Sequence, residues 1–344
     1  MAESDPLAII GATRDELRAF VASLGEAAFR ADQMLGWVYA RRAATFDEMA
    51  NLPKALRAKL AERAVLFTTS VRDEQASEDG TRKLLLGLAD GETVEAAIIP
   101  AGDRRTVCIS TQVGCPVGCV FCASGLGGLV RHLTAGEIVE QALHARRRFQ
   151  PPDASMNVVV MGIGEPLANF DALARALEIL TADWGMALSG RRITVSTVGI
   201  PGRIRLLAAT GLGVNLAISL HAADDATRAR LVPRAQPIRE IVRAARDYLR
   251  QTNRDVTFEY VMVKGVNDRP ADARALADLV GHLPVLVNVL PLNPVGGLPW
   301  EEPLPERVER FIAELHRRGI RAKLRRRRGA DIDAACGQLR RRRG

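Results

Sequence analysis

The stretch GCPVGCVFC, residues 114–122, contains three cysteines, Cys115, Cys119 and Cys122. Their spacing is Cys-x-x-x-Cys-x-x-Cys, which supplies three thiols where a tetrahedral metal takes four ligands. Thiolates favour zinc and iron–sulfur clusters. Three of them can hold three irons of a [4Fe–4S] cluster and leave the fourth iron open to another ligand. The alternative is a zinc site completed by a histidine such as His132.

Strand and helix patterns alternate on both sides of this loop. Six such units predict an α/β fold with a parallel sheet, in the form of a partial, TIM-like (β/α)6 barrel over residues 105–325. A capping box, TAGE (134–137), predicts the start of the helix that follows the cysteine loop. The strand candidates are TVCIST (106–111), NVVVM (157–161), RITVST (192–197), VNLAISL (214–220), VTFEYVM (256–262) and VLVNVLP (285–291).

Unusual residues follow the ends of these strands. The cysteine loop follows the first strand, GIGEP (162–166) the second, and Ser196-Thr197 ends the third. SLH (219–221) ends the fourth strand and PLNP (291–294) the sixth. Because the carboxyl ends of barrel strands form the active-site face, these features predict one common site.

Three further segments flank the predicted barrel. Residues 1–64 read as a helical accessory domain and a candidate RNA-binding module, with a capping box at Thr13 and Glu16. Residues 65–104 alternate as strands, with turns at EDGT and ADGE, and predict a short antiparallel β extension. Residues 326–344 form a basic C-terminal segment that carries Cys336.

Charge and composition limit the partners and the cellular compartment that we expect. The formal net charge is +8, and residues 317–344 carry 12 Arg and Lys against two acids, so the rest of the chain is close to neutral. Such a basic tail suits a polyanion such as nucleic acid, although a solvated tail is the alternative. The odd number of cysteines, five, and the clustering of four of them within residues 108–122 indicate a reducing compartment. We expect a cytoplasmic protein without a membrane partner, since neither a secretory signal nor a spanning apolar stretch is evident.

The cysteine loop, with Phe121 before Cys122, resembles that of the radical S-adenosylmethionine (SAM) superfamily. In that superfamily the open iron binds the amine and carboxylate of SAM. The segments GIGEP, ITVSTVG, AISLHA, FEYVM and PLNPVGG, and RRRGADIDAACGQL at 326–339, narrow the resemblance to the RlmN/Cfr family, with RlmN the closer branch. The resemblance extends over nearly the whole chain.

This resemblance implies methylation at C2 of an adenosine in 23S rRNA, at the peptidyl transferase centre. For many members it also implies C2 methylation of the tRNA adenosine next to the anticodon. The implied cofactors are one [4Fe–4S] cluster with three cysteine ligands and two SAM molecules per turnover. The implied electron donor is a low-potential carrier such as flavodoxin or ferredoxin. The alternatives are a C8 methyltransferase of the Cfr type and a non-catalytic RNA-binding protein with structural zinc.

The resemblance also implies residue roles. Cys336 carries the methyl group in a ping-pong reaction, Cys108 resolves it through a transient disulfide with Cys336, and Glu95 is the proton acceptor that faces the same cavity. Read alone, Cys108 is a buried core cysteine and Glu95 an exposed strand carboxylate. The family usually has Asn at His132, and the 233–238 loop is shorter than is common. The residues expected to bind SAM are Gly164, Glu165, Ser196, Ser219, Leu220, His221 and Asn293.

Overall fold

The computed structural model describes residues 6–335 and 337–339, and its N-terminal part is a small helical module. The Thr13 side chain accepts from Glu16 N while Glu16 accepts from Thr13 N, which is the capping box predicted from sequence. Residues 41–53 form turns between the helical segments of this module, and Pro53 directly precedes its last helix. The elements are β1 (Leu7–Ala8), α1 (Arg14–Ser23), α2 (Phe29–Leu35), a π-helical turn (Gly36–Ala40), α3 (Lys54–Arg63) and β2 (Ala64–Val65).

Twelve further strands follow, and ten of them form one sheet. They are β3 (Ser70–Ala76), β4 (Arg82–Gly87), β5 (Thr93–Ala101), β6 (Arg104–Cys108), β7 (Gln112–Gly114), β8 (Leu129–His132), β9 (Ser155–Val160), β10 (Ile193–Thr197), β11 (Asn215–Ser219), β12 (Val256–Met262), β13 (Leu286–Pro291) and β14 (Arg321–Leu324). The sheet order is β14-β13-β12-β11-β10-β9-β6-β5-β4-β3, while β7 and β8 form a separate hairpin.

The predicted α/β fold is confirmed. The six predicted strands are all present, and β6 and β9 to β14 run parallel to one another. The β extension joins the same sheet, because β5 pairs antiparallel with both β4 and β6. The seventh parallel strand, β14, was not predicted, since only Ala322 of its four residues is buried and its sequence carries no apolar run.

Helices cover the parallel part of the sheet. Proline is the first residue of α6 (Pro201–Ala209), α9 (Pro270–Val280) and α10 (Pro305–Arg317), and it favours these starts because an N–H has no helical partner there. Within the described residues, no helix is long and apolar enough to cross a membrane. The remaining helices are α4 (Ala135–Arg146), α5 (Phe170–Thr181), α6 (Pro201–Ala209), α7 (Asp225–Leu231), α8 (Ile238–Thr252), α9 (Pro270–Val280) and α10 (Pro305–Arg317).

The register of four neighbouring strands fixes one functional face. Lys83 of β4 pairs with Ala97 of β5, Ala97 with Cys108 of β6, and Cys108 with Val159 of β9. Directly paired residues point to the same face of a sheet, and residues two apart on one strand share that face. Glu95 therefore lies on the same face as Lys83 and Cys108.

Candidate active site

The cysteine loop is tied to three separate parts of the chain. Cys115 N donates to Gly128 O (3.0 Å), Val120 N to Leu231 O (3.1 Å) at the end of α7, and Ala123 N to Gly337 O (2.8 Å) in the C-terminal segment. These bonds fix the loop backbone before any metal binds.

The three thiols Cys115, Cys119 and Cys122 line one cavity of about 160 Å³, named here the cysteine cavity. Burial raises the pKa of Cys115 to about 12, and burial with the neighbouring thiols raises the pKa of Cys119. A metal must therefore displace protons when it binds these sulfurs. Three soft donors on one wall fit a cluster that gives each thiol its own iron.

A single zinc ion fits the described residues less well. His132 lies on β8, and its Nδ1 is 2.9 Å from Gln112 Nε2. Within residues 6–335 and 337–339, no three His, Cys, Asp or Glu side chains converge closely enough to hold one metal ion. A cluster with several irons does not require such convergence.

The GIGEP turn lies against β7, the short strand that leads into the cysteine loop. Gly164 has φ +114°, and a Cβ there would lie 2.8 Å from Gln112 Cβ. Glu165 N donates to Gln112 Oε1 (2.7 Å). The Glu165 carboxylate accepts from Thr197 Oγ1 (2.7 Å), Val198 N (2.8 Å) and Leu167 N (3.0 Å). A carboxylate has about four acceptor positions, so Glu165 keeps capacity for one further donor.

Ser196 and Ser219 end neighbouring strands on the cavity wall, with their Oγ atoms 3.4 Å apart. His221 follows with φ +60°, and its Nδ1 accepts from Val261 N (3.1 Å). Burial, with the nearby charge of Arg228, lowers the pKa of His221 to about 3, so the imidazole is neutral and Nε2 carries the proton. The histidine is therefore a fixed hydrogen-bond donor at neutral pH.

Six of the seven expected SAM-binding residues line the cysteine cavity. Leu220 does not, because its side chain is fully buried in the main core and its carbonyl accepts from Arg228 Nη1. The six are Gly164, Glu165, Ser196, Ser219, His221 and Asn293.

A second cavity of about 480 Å³, named here the arginine cavity, adjoins the first. Cys122 and Asn293 belong to both walls, so the two spaces meet at the cysteine loop. Cys108 lines the arginine cavity together with Ala335 and Gly337. Cys336 itself lies outside the described residues.

Glu95 is only 1% exposed and is not among the described residues that line either cavity. Its Oε1 lies 3.3 Å from Lys83 Nζ, and Lys83 also donates to Ile332 O. The alternative of an exposed strand carboxylate at Glu95 is therefore wrong. Lys83 was missed because a lysine on an alternating strand normally faces solvent.

Arg228 is a second residue that the sequence did not single out. It is 1% exposed and donates to Ser219 O (3.0 Å), Leu220 O and Val198 O, so it joins the ends of β10 and β11 behind the cavity. Burial lowers its pKa to about 10. The only feature of the sequence that could have indicated a role for Arg228 is its position in a helix after SLH, and this position alone does not predict a buried arginine.

Comparisons with known proteins agree with this geometry. The Radical SAM superfamily model matches residues 109–277, and the model of the ribosomal RNA large subunit methyltransferase N-terminal domain matches residues 7–66. A solved radical SAM methyltransferase from Sphaerobacter thermophilus is 46% identical, with a TM-score of 0.95 over 97% of this chain and 99% of that chain. The barrel and its cysteine loop are thus those of a radical SAM enzyme.

Two curated relatives narrow the assignment. The probable dual-specificity RNA methyltransferase RlmN of Rhodopirellula baltica is 45% identical over 96% of this chain and 90% of its own length. The dual-specificity RNA methyltransferase RlmN of Rhodospirillum rubrum is 48% identical over 97% of this chain and 80% of its own. The chain belongs to the RlmN family and is a SAM-dependent RNA methyltransferase.

Membership confirms the predicted enzyme class and the need for an iron–sulfur cluster and SAM. It also excludes the alternative of a non-catalytic zinc protein. The position methylated and the roles of individual residues remain proposals.

Proposed function

We propose that the chain methylates C2 of an adenosine in 23S rRNA, at the peptidyl transferase centre, and C2 of the tRNA adenosine next to the anticodon. The names of the two relatives, dual-specificity RNA methyltransferase RlmN, support the two RNA substrates and the RlmN-type product. The observation that carries the two-cysteine mechanism is the placement of Cys108. It lines the arginine cavity beside Cys122 and beside Ala335 and Gly337, which flank Cys336 in sequence. A resolving thiol must reach the residue that carries the methyl group, and this cavity offers such a meeting place.

The chemistry requires an unusual carrier. C2 of adenine has no usable lone pair, so this carbon cannot attack the methyl group of SAM directly as a nucleophile. A thiolate is a strong soft nucleophile, and Cys336 takes a methyl group from a first SAM, which leaves as S-adenosylhomocysteine. When bound, one [4Fe–4S] cluster held by Cys115, Cys119 and Cys122 supplies, with a second SAM and an electron from a flavodoxin or ferredoxin, the radical chemistry that activates this methyl group.

Two residues of the chain complete the reaction after the carbon has joined the base. Glu95 takes the proton that leaves C2, which requires its buried carboxylate to turn from Lys83 towards the base, since Glu95 is not among the described residues that line either cavity. Cys108, as a thiolate, then attacks the Cys336 sulfur: a Cys108–Cys336 disulfide forms, the Cys336 sulfur–carbon bond breaks, and the released carbon takes up a proton to become the methyl group of the RNA. The unpaired electron left on the base by the radical addition would be taken up by the oxidised cluster. A thiol reductant restores both cysteines before the next turnover.

In this proposal the wall of the cysteine cavity positions SAM. His221 offers a neutral N–H, Glu165 one remaining acceptor position, and Ser196 and Ser219 two hydroxyls. Asn293 lies where the two cavities meet. Leu220 contributes through the backbone, since its side chain belongs to the core.

Mass spectrometry of nucleosides tests the position methylated. We expect 2-methyladenosine in 23S rRNA and in tRNA from cells with the gene, and its loss from cells that carry only Cys336→Ala. Detection of 8-methyladenosine instead would place the chain with the Cfr-type enzymes and contradict the proposal. Methylation of 23S rRNA alone would contradict the tRNA part.

Anaerobic reconstitution tests the cofactors. With iron and sulfide, the chain should show [4Fe–4S] absorption, and Cys119→Ala should not. Each methylated RNA should be accompanied by one S-adenosylhomocysteine and one 5′-deoxyadenosine, because two SAM molecules are used per turnover.

A further inference from the structure

The arginine cavity has an unusual charge. Six arginines line it, and none of its described lining residues is Asp or Glu. The neutral polar residues Thr106, Asn157 and Thr194 also line the cavity, together with Cys108 and apolar residues. The arginines are Arg191, Arg192, Arg325, Arg326, Arg327 and Arg328.

These cations come from two distant places in the fold. Arg325 to Arg328 directly follow β14, at its carboxyl end, whereas Arg191 and Arg192 directly precede β10, at its amino end. All the strands between them run parallel. A five-residue strand such as β10 spans roughly 16 Å, so the two groups approach the cavity from opposite ends of the parallel strands.

The two groups differ in the charges already near them. Arg327 forms an ion pair with Glu302, and Arg328 lies 3.8 Å from Asp79. Neither Arg191 nor Arg192 has an ion pair with the acids of the described residues. Both are exposed, so their guanidinium groups are available to an anion from solution.

The turn that carries Arg191 and Arg192 is held firmly. Asn215 Nδ2 donates to Arg191 O (2.9 Å), and Arg192 N donates to Ser189 O (2.8 Å). Gly190 packs against the next loop so closely that a Cβ would lie 2.3 Å from Leu212 O. The backbone is therefore fixed although the arginine side chains are exposed.

We propose that Arg191 and Arg192 bind RNA phosphates on one side of the target nucleotide, while Arg325 and Arg326 bind phosphates on its other side. The inference rests on the proposed use of this cavity for RNA. A target adenine turned out of its stack enters the arginine cavity between the two groups, and the backbone on both sides is held by charge-assisted bonds. This assigns the turn before β10, which carries no methylation chemistry, to substrate binding.

Binding of an unmodified 23S rRNA transcript across a range of NaCl concentrations tests the proposal. Each phosphate contact contributes about 0.7 to the slope of log Kd against log salt for single strands, so Arg191→Gln/Arg192→Gln should lower the slope by about 1.4. Arg191→Lys/Arg192→Lys should keep most of the slope, because the charge remains. The control is Arg239→Gln/Arg243→Gln on the exposed face of α8, which removes the same charge and should leave the slope unchanged.

Two results would overturn the proposal. One is a wild-type slope in the Arg191→Gln/Arg192→Gln variant. The other is an equal loss in the Lys and Gln variants, which would show that charge is not responsible. SAM binding should be the same in all four proteins. The slope does not depend on which adenine carbon is methylated, so an 8-methyladenosine product would contradict the proposed function and leave this inference standing.

Discussion

Lys83 Nζ lies 3.3 Å from Glu95 Oε1 inside the sheet, where only 3% and 1% of the two side chains are exposed. Lys83 also donates to Ile332 O, four residues before Cys336. One ammonium group therefore joins β4, β5 and the C-terminal segment.

Lys83→Met should destabilise the fold strongly, because it removes the cation beside a buried carboxylate. Loss of one partner of a buried pair typically costs about 3–5 kcal/mol in the free energy of unfolding. Lys83→Met/Glu95→Gln should recover part of that loss, since the remaining charge is also removed. Urea unfolding of the two variants and of Glu95→Gln measures the coupling. Additive effects would mean that the pair contributes little.

Cys108→Ala should trap RNA on Cys336, because no thiol remains to break the link. We expect a covalent protein–RNA species that resists denaturation and disappears after nuclease treatment, with turnover lost. Val159→Ala, on the strand paired with Cys108, is the matched control and should still release RNA. Free methylated RNA formed at the wild-type rate by Cys108→Ala would exclude the resolving role.

Gly164→Ala should lower SAM affinity and the free energy of unfolding, the latter by about 2 kcal/mol. The residue has φ +114°, and the added Cβ would collide with Gln112, which accepts from Glu165 N. Gly127→Ala is the control, since a Cβ there meets nothing within 4 Å. Isothermal titration with SAM and urea unfolding check both effects. Equal affinity in the two variants would remove the GIGEP turn from the SAM site.

His144→Gln should reduce the loss of stability in acid. Burial, with the charge of Arg148, lowers the pKa of His144 to about 4 in the folded chain. The unfolded chain binds a proton near pH 6.5 that the folded chain excludes, so the free energy of unfolding falls as the pH falls from 6.5 towards 4. Between pH 7 and pH 5 this amounts to at most about 2 kcal/mol. Urea unfolding should show a smaller fall in the variant, and identical falls would contradict the assignment.

Much of the parallel sheet could be predicted from sequence because buried strands carry local signals. The apolar runs of β9 to β13 and the capping box of α4 each lie within a few residues. The convergence of the cysteine loop, GIGEP and SLH followed from one rule about strand ends. For the parallel sheet and the position of the site, local sequence patterns and a general rule of topology were therefore sufficient.

The other contacts could not be predicted because they join distant residues. Lys83 meets Ile332 across 249 positions, and Glu140 accepts four bonds from Thr68 and Thr69 more than 70 positions away. Lysine, glutamate and threonine usually lie on the surface, so their residue type alone predicts that these side chains are exposed. Only the folded sheet reveals that they are buried.

The β extension shares its sheet with the barrel, and this limits how the protein can be divided. A chain cut before β6 would lose the partner strand β5 and leave a row of unpaired backbone groups at the new border. Such a border invites pairing with a second copy, so the separated barrel would tend to aggregate. The β extension is therefore not a separable domain, and we expect evolution to keep it together with the barrel whose border strand it covers.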